Sequence, residues 1–518
     1  MTRSRQKPGE NINGLGMMFS EFVSGSRVDS QQMAYCKVST CSVIDILSMS
    51  FLKESLNSRG LFMFDDGLRE ECGVFGVIGS DTAARDAYFG LYALQHRGQE
   101  AAGIATTDGH NIFTYKHLGL VGDVFNDNAI FDDLPGRTAI AHNRYSTTGG
   151  TSIANAQPLT VTFGQGWMSA AHNGNLINAA TLREKMEAAG SIFSTTSDSE
   201  VILHLIAKSK ADTFEDRIVD ALSKVKGAYS LLFINDGALY AIRDPYGIRP
   251  LCIGRKGDTW AVASESCAFD ILEIKYERTV LPGEFIVMRE GQEPQSFFPF
   301  EKPPRYAGCV FEFIYFSRPD SFVFGKPVDL VRRKMGRQLA VEAPVHDADA
   351  VIAVPDSSNT AALGYANTLG KPFELGLIRN HYIGRTFIRP RQGERDISAR
   401  IKYNPVPGIL RDKKIVIVDD SIVRGTTSKK LIKMIRDAGA KEIHFRVASP
   451  PIISSCFYGV DTPEREKLIA STKTVEQIRE YLGVDSLAYL SLEGMRGIPE
   501  LHEIGLCNAC FTGNYPVT

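Results

Sequence analysis

The sequence has few of the features that would set it apart from ordinary globular proteins. No uninterrupted apolar stretch approaches the roughly 20 residues of a membrane span. Nine cysteines in so long a chain do not make a disulfide scaffold. Neither sign of charge dominates: 58 Lys and Arg against 60 Asp and Glu leave a net charge of −2, which argues against a dedicated nucleic-acid binder. The N-terminus begins Met1-Thr2-Arg3-Ser4-Arg5 but continues into polar Gln6–Asn13, without the apolar core of a signal peptide. A cytoplasmic location is therefore expected. No Gly-Lys-Ser/Thr is present, which excludes a P-loop, and the glycine fingerprint of a dinucleotide fold is also missing.

What is present reads as a multidomain globular chain. An apolar content of 43% and a charged content of 23% are ordinary, and 518 residues predict two to four domains with ample core. The most informative stretch is Ile415–Ser428. Ile415-Val416-Ile417-Val418 has the β-branched apolar character of a strand buried on both faces. From Lys429 to Ala438, Leu431, Ile432, Met434, Ile435 and Ala438 fall at helical spacing, with Gly439 as the stop. The loop between carries Asp419 and Asp420. Loops leaving the carboxyl ends of parallel strands are where open α/β sheets bind ligands. The backbone amides of Arg424, Gly425, Thr426 and Thr427, with the hydroxyls of Thr426, Thr427 and Ser428, predict an anion cradle at a helix N-terminus. Two carboxylates beside a phosphate fit if they grip a vicinal diol or approach through Mg²⁺. A sugar phosphate with free 2′ and 3′ hydroxyls satisfies both halves, and an Asp-Asp-Ser turn that merely caps the helix is the plain alternative.

This run resembles the 5-phosphoribosyl-1-pyrophosphate (PRPP) motif of type I phosphoribosyltransferases, in which the acids hold the ribose and the Thr-rich turn holds the 5-phosphate. Upstream, Val351–Val354 reads as a second buried strand, followed by the loop Pro355–Thr360 and a helix from Ala361. That loop resembles the family's pyrophosphate loop, which implies Mg²⁺ at Ser357, Asp419 and Asp420. The segment 379–405 holds Arg379, Arg385, Arg389, Arg391, Arg395, Arg400 and Lys402 with few apolar residues. Beside a PRPP site it reads as a lid that closes over pyrophosphate.

The first half of the chain differs in character. From Cys72 to about Phe300, short apolar runs such as Trp167–Ala171, Tyr229–Ile234 and Trp260–Ser264 are broken by glycine, and helical stretches occupy Ala83–Gln95 and Asp198–Ser209. The pattern predicts layered antiparallel sheets with helices outside, an α+β arrangement. Five motifs in order resemble the class II glutamine amidotransferase domain of the N-terminal-nucleophile hydrolase fold. They are Cys72–Gly76, Gln95–Glu100, His142–Thr147, His172–Asn175 and Ser197–Glu200. Ala101 and Asn143 are small departures. The resemblance implies Cys72 as nucleophile with its own α-amine as base. It also implies an oxyanion hole from Asn173 and Gly174, an Arg144 clamp on the glutamine carboxylate, and Asp198 on its ammonium. His96, His142 and His172 read as structural histidines.

Cys507-x-x-Cys510 suits a metal or a redox site. With Cys309 and Cys456 it gives four thiolates, which fit Zn²⁺ and iron–sulfur equally well. The resemblance favours a 4Fe–4S cluster with a structural role, while Cys36, Cys41, Cys252 and Cys267 read as bystanders. Together the two halves resemble the amidophosphoribosyltransferase family in its iron–sulfur branch. The resemblance implies release of ammonia from glutamine and its transfer through an interior channel to PRPP, giving 5-phosphoribosylamine at the first committed step of purine synthesis. Feedback by purine nucleotides and a homotetramer are implied with it. Expected boundaries are 1–71 (a propeptide, or a start placed too far upstream), 72–302 (amidotransferase), 303–470 (an α/β phosphoribosyltransferase domain with a mostly parallel sheet) and 471–518 (a C-terminal segment with cluster cysteines). Two rivals remain. A glutamine-dependent sugar-phosphate aminotransferase would lack Ile415–Ser428, and a PRPP-sensing regulator would not need Cys72 or Asn173-Gly174.

Overall fold

Two antiparallel sheets stacked face to face form the first half of the fold. In the computed structural model, which describes residues 72–145, 152–380 and 402–518, these sheets have seven and six strands. The first places Gly73–Ile78 at its centre, between Thr138–Arg144 and Thr259–Ala263. The second is built round Gly166–Leu176 and Gly227–Asn235. Side chains alternate between faces along each strand, and here both faces are covered. Val74, Ile140, Leu232 and Val262 fill the layer between the sheets. Phe75, Ala139 and Ala141 turn outward against the helix Ala83–Ala93, and Leu231 and Phe233 pack against the helices Ser199–Lys208 and Phe214–Leu222. Double coverage explains why these antiparallel strands read as continuous apolar runs instead of alternating ones. The expected leader lies outside the described residues, as do Ser146 and Thr147 and the lid residues Arg385, Arg389, Arg391, Arg395 and Arg400.

The second half is a parallel sheet of four strands in the order Ala350–Ala353, Lys414–Asp419, Glu442–Val447, Ser486–Tyr489. Its last strand lies beyond position 470. On one face Ile415, Ile417 and Phe445 meet Leu431, Ile432 and Ile435, the apolar stripe of the helix Thr426–Asp437. That helix begins three residues before Lys429, so Thr426, Thr427 and Ser428 form its first turn. On the other face Val351, Val416 and Val418 share one core with the segment Cys309–Phe316 and with Ala228 and Ile248 of the sandwich.

Charge is buried where the halves meet. Glu312 is fully buried and takes both guanidinium nitrogens of Arg97 at 2.8 and 3.0 Å, and Arg249 at 2.5 Å. Arg97 also donates to Glu265 at 2.5 Å, and Glu265 receives His96 and the hydroxyl of Ser321. Burial alone would raise the Glu312 carboxyl, but Arg97 and Arg249 bring it down to about 2. Removing one partner of such a set strands the others in a dry interior. Glu312→Ala is therefore expected to cost about 3–5 kcal/mol of unfolding free energy, read as a lower denaturation midpoint, with a smaller loss for Glu312→Gln. Because the folded-state value lies below the unfolded one, this stabilisation is present above the ordinary carboxyl range and is lost as pH falls through about 2. An unchanged midpoint in Glu312→Ala would show that the cluster does not hold the halves together.

Candidate functional site

Cys72 stands immediately before the central strand Gly73–Ile78, which fixes its place in the sandwich. The Gly73 amide donates to Asn143 Oδ1 at 2.8 Å, and Asn143 Nδ2 donates to the Leu94 carbonyl at 2.6 Å. Arg97 Nε donates to the Cys72 carbonyl at 3.3 Å. The thiol itself points at the Tyr145 carbonyl, 3.5 Å away. Burial pushes it up to about 11, while that carbonyl's peptide and the charge of Arg144 pull the other way and Asp198 adds to the rise. Arg144 and Asp198 therefore both lie within electrostatic reach of the sulfur.

Asn173 and Gly174 belong to the strand Gly166–Leu176 of the other sheet. Ser264 joins the two sheets at this point. Its hydroxyl receives the Val74 amide at 3.0 Å and Asn173 Nδ2 at 3.4 Å. Asn173 Oδ1 is buried and finds no hydrogen-bond partner among the described residues. Gly174 has φ +147°, and a Cβ there would lie 2.0 Å from the Ala228 carbonyl oxygen, so only glycine fits. Asp198 immediately precedes the helix Ser199–Lys208 and accepts the Leu176 amide at 2.9 Å. The three histidines have partners: His96 has Glu265, His142 has the His172 carbonyl, and His172 has Ser199. Burial brings His142 down to about 3, so it is neutral at physiological pH.

The second constellation lies at the carboxyl end of Lys414–Asp419. Asp419 and Asp420 are each 7% exposed. The Ser357 hydroxyl donates to Asp420 at 2.5 Å, Ser421 donates to its other oxygen at 2.7 Å, and Ser358 lies 3.3 Å from Asp419. Burial raises both carboxyls, Asp419 further because Asp420 stands beside it. Gly425 then precedes the helix Thr426–Asp437, whose first-turn amides point out of the helix end toward the same loop. Buried Arg332 adds a positive field at Asp420. A dry acid pair with hydroxyls around it and a helix N-terminus alongside suits a cation and a phosphate together.

The four sequence-selected cysteines meet. Cys309, Cys456, Cys507 and Cys510 line one cavity with Arg249 and Tyr458. Cys309 and Cys507 are register partners in a short parallel pairing of Gly308–Cys309 with Leu506–Cys507. Burial raises every one of these thiols, Cys309 to about 12, and neighbouring thiols add to the rise at Cys309, Cys456 and Cys510. Among the described residues, no group of three or more His, Cys, Asp or Glu is arranged to hold a metal ion. The thiols wall a space and do not converge on one point. Cys252 and Cys267 are buried elsewhere, in the layer against the helix Ala83–Ala93.

Sequence reasoning missed Ser264, Ser358 and the Arg97–Glu265–Glu312 set. Arg97 stands inside a recognised motif and Glu312 three residues after Cys309, but a charged side chain is rarely fully buried. Nothing local signals that these would be.

Comparison with known proteins agrees with both halves. A glutamine amidotransferase domain matches residues 142–270, and a phosphoribosyl transferase domain matches residues 343–464. The Arabidopsis thaliana protein named amidophosphoribosyltransferase 1, chloroplastic, is 51% identical over 456 residues, covering 88% of this chain and 80% of the relative. The amidophosphoribosyltransferase of Bacillus subtilis is 47% identical over 456 residues, covering 87% and 95%. A solved structure of glutamine PRPP amidotransferase from B. subtilis, complexed with ADP and GMP, superposes with a TM-score of 0.81 at 46% identity over 86% of this chain and 98% of the other. With a cysteine-led sandwich and an acid-pair loop joined in that order, and relatives matched across both, this chain belongs to the amidophosphoribosyltransferase family.

Proposed function

We propose that the family's reaction, the first step of purine biosynthesis, runs here in two sites, with Cys72 as the glutaminase nucleophile and the Asp419–Asp420 loop holding PRPP. The observation that carries this reading is that one compact unit seats Cys72 within reach of Arg144 and Asp198 and also buries a paired carboxylate beside a helix N-terminus.

Within the full chain the nitrogen of Cys72 is an amide and cannot take a proton. The thiol, pushed up to about 11 by burial, is then un-ionised at neutral pH. Removal of residues 1–71 would free an α-amine of pKa about 7.7–8.0, a suitable base for the thiol proton. The thiolate attacks the carboxamide carbon of glutamine, with Arg144 on the α-carboxylate and Asp198 on the α-ammonium. Negative charge on the carbonyl oxygen is met by Asn173 Nδ2 and the Gly174 amide. Collapse expels ammonia, which takes its proton from the α-ammonium, and water then hydrolyses the thioester to glutamate. Ammonia must stay unprotonated to attack C1 of PRPP, so it travels through the interior. It displaces pyrophosphate with inversion, giving 5-phosphoribosylamine.

At the second site Asp419 and Asp420 accept the ribose hydroxyls, and the amides and hydroxyls from Arg424 to Ser428 hold the 5-phosphate. Ser357, Asp419 and Asp420 would hold Mg²⁺, which supplies charge neutralisation for the departing pyrophosphate. Two raised carboxyls sharing one dry loop are a donor set that fits such a cation. The four thiols lining one cavity would likewise be the ligands of a 4Fe–4S cluster, which would tie the C-terminal tail to Cys309 and Cys456. Purine nucleotides as feedback inhibitors, a homotetramer and a cytoplasmic location complete the reading. The nucleotides in the B. subtilis complex support the first. A reducing compartment suits the seven free cysteines among the described residues, and no described helix is long and apolar enough to cross a membrane.

Four outcomes test this. Cys72→Ala should abolish glutamine-dependent synthesis of phosphoribosylamine but keep synthesis from ammonium at alkaline pH, where free NH₃ is abundant. Intact mass of the active protein should begin at Cys72, and continued use of glutamine by the variant would remove Cys72 as nucleophile. Asp419→Asn and Asp420→Asn should each weaken PRPP binding about tenfold or more, while glutaminase assayed without coupling survives. Unchanged PRPP affinity would return the pair to helix capping. Anaerobically purified protein should contain iron and sulfide, lost in Cys507→Ser, whereas one zinc per chain without iron would assign the thiols to zinc.

A further inference from the structure

The loop from Cys456 to Thr462 belongs to the phosphoribosyltransferase half, yet its tip rests on the glutaminase site. Its base is tightly tied. The Cys456 amide donates to Thr462 Oγ1 at 2.6 Å, the Tyr458 amide donates to Cys456 Sγ at 3.3 Å, and Ser455 Oγ donates to the Pro463 carbonyl at 2.7 Å. The Tyr458 hydroxyl donates to the Val517 carbonyl at 2.7 Å and accepts the Val517 amide at 3.0 Å.

From this base the loop touches three residues around Cys72. Asn175 Nδ2 donates to the Phe457 carbonyl at 2.8 Å. The Tyr145 hydroxyl lies 3.5 Å from Asp461 Oδ2, and the Tyr145 carbonyl is the one the Cys72 thiol faces. Gly459 lies against Gly174 itself: a Cβ on Gly459 would be 3.2 Å from the Gly174 carbonyl carbon and 3.4 Å from its Cα and oxygen. Gly459 also has φ +112°, which a residue with a side chain rarely adopts.

We infer that this loop is a strut, its Gly459 packed on the Gly174 backbone and its Phe457 carbonyl holding the Asn175 side chain, so that the oxyanion-hole amide is aimed by the phosphoribosyltransferase half. The inference rests on the reading of Asn173 and Gly174 as the oxyanion hole. Its physical basis is the freedom of glycine. Nothing in the Gly174 side chain resists rotation of its peptides; pairing with the strand Gly227–Asn235 restrains one edge of it, and contacts from outside the sheet restrain the rest. The Ala228 carbonyl closes one side of Gly174, and Gly459 closes another. An oxyanion donor acts through fixed aim, and small displacements of it are felt in the transition state more than in substrate binding. Gly459, Phe457 and Asn175 are thus positioning residues for the glutaminase step.

The test uses the full enzyme with Gly459→Ala, Asn175→Ala and Asn173→Ala. Four quantities are read: kcat and KM for glutamine, the rate of synthesis from PRPP and ammonia, and the affinity for glutamate γ-semialdehyde. This aldehyde adds the Cys72 thiol and leaves an oxygen in the hole. Gly459→Ala should lower the glutamine kcat about tenfold and weaken aldehyde binding by a similar factor, with KM and ammonia-driven synthesis unchanged. Asn175→Ala should move the same quantities in the same direction by less, and it carries the test if Gly459→Ala fails to fold. Equal loss of glutamine and ammonia activities would mean general packing damage and overturn the inference, as would a raised KM with unchanged kcat. If Asn173→Ala lowers kcat while the other two variants leave it unchanged, the strut alone is wrong. If Asn173→Ala leaves kcat unchanged, the oxyanion-hole reading fails and the inference with it.

Discussion

The contact on which the rest of the structure depends is the buried pairing of Arg97 with Glu312. Both side chains are removed from water, and neither would be tolerated there alone. Arg97 stands beside the strand that carries Cys72, and Glu312 stands three residues after Cys309, at the start of the second half. Their pairing therefore sets how the sandwich and the parallel sheet meet. Arg97 also holds the Cys72 carbonyl, and Arg249, which shares Glu312, lies beside the cavity of the four thiols. One carboxylate thus links the surroundings of Cys72 to the surroundings of the four thiols. An apolar interface of the same area would adhere as well, but it would not specify which guanidinium sits where.

The acid pair at Asp419–Asp420 shows the opposite use of burial. Here two like charges share a dry loop and, among the described residues, have no cationic side chain bonded to them, only hydroxyls, the Asp420 amide and the field of Arg332. Such a pair is strained when ionised, and a cation or a diol relieves it. The Glu312 carboxyl is pulled down by its arginines, and the Asp419 carboxyl is pushed up by its neighbour. The protein places compensated charge where its two halves join and uncompensated charge at the carboxyl end of a parallel strand, beside a helix N-terminus.

Much of this was legible before any coordinates. The β-branched run at Ile415–Val418 and the helical spacing beyond it are properties of contiguous residues, and the parallel strand and its helix follow from them. The start of that helix was less legible. Thr426 and Thr427 are weak helix formers, and the periodic apolar residues begin only at Leu431, so the first turn reads as loop. The short apolar runs mark the antiparallel strands unevenly: Trp167–Ala171 lies inside the longer Gly166–Leu176, whereas Trp260–Ser264 matches Thr259–Ala263 to within one residue. Their outer residues are held by strand pairing more than by apolar character.

The sequence by itself determined the order of the two halves, their strand and helix types, and the short motifs around Cys72, Asn173, Asp198, Asp419 and the four cysteines, because each rests on neighbours in the chain. Only the tertiary structure decided what separates those motifs from working sites. It buried Arg97, Glu265 and Glu312, used Ser264 to join two sheets, and laid Gly459 against Gly174. These contacts join residues far apart in the chain, between groups whose chemistry favours water when they are considered singly. Their partners become visible only when folding brings them within a few ångströms.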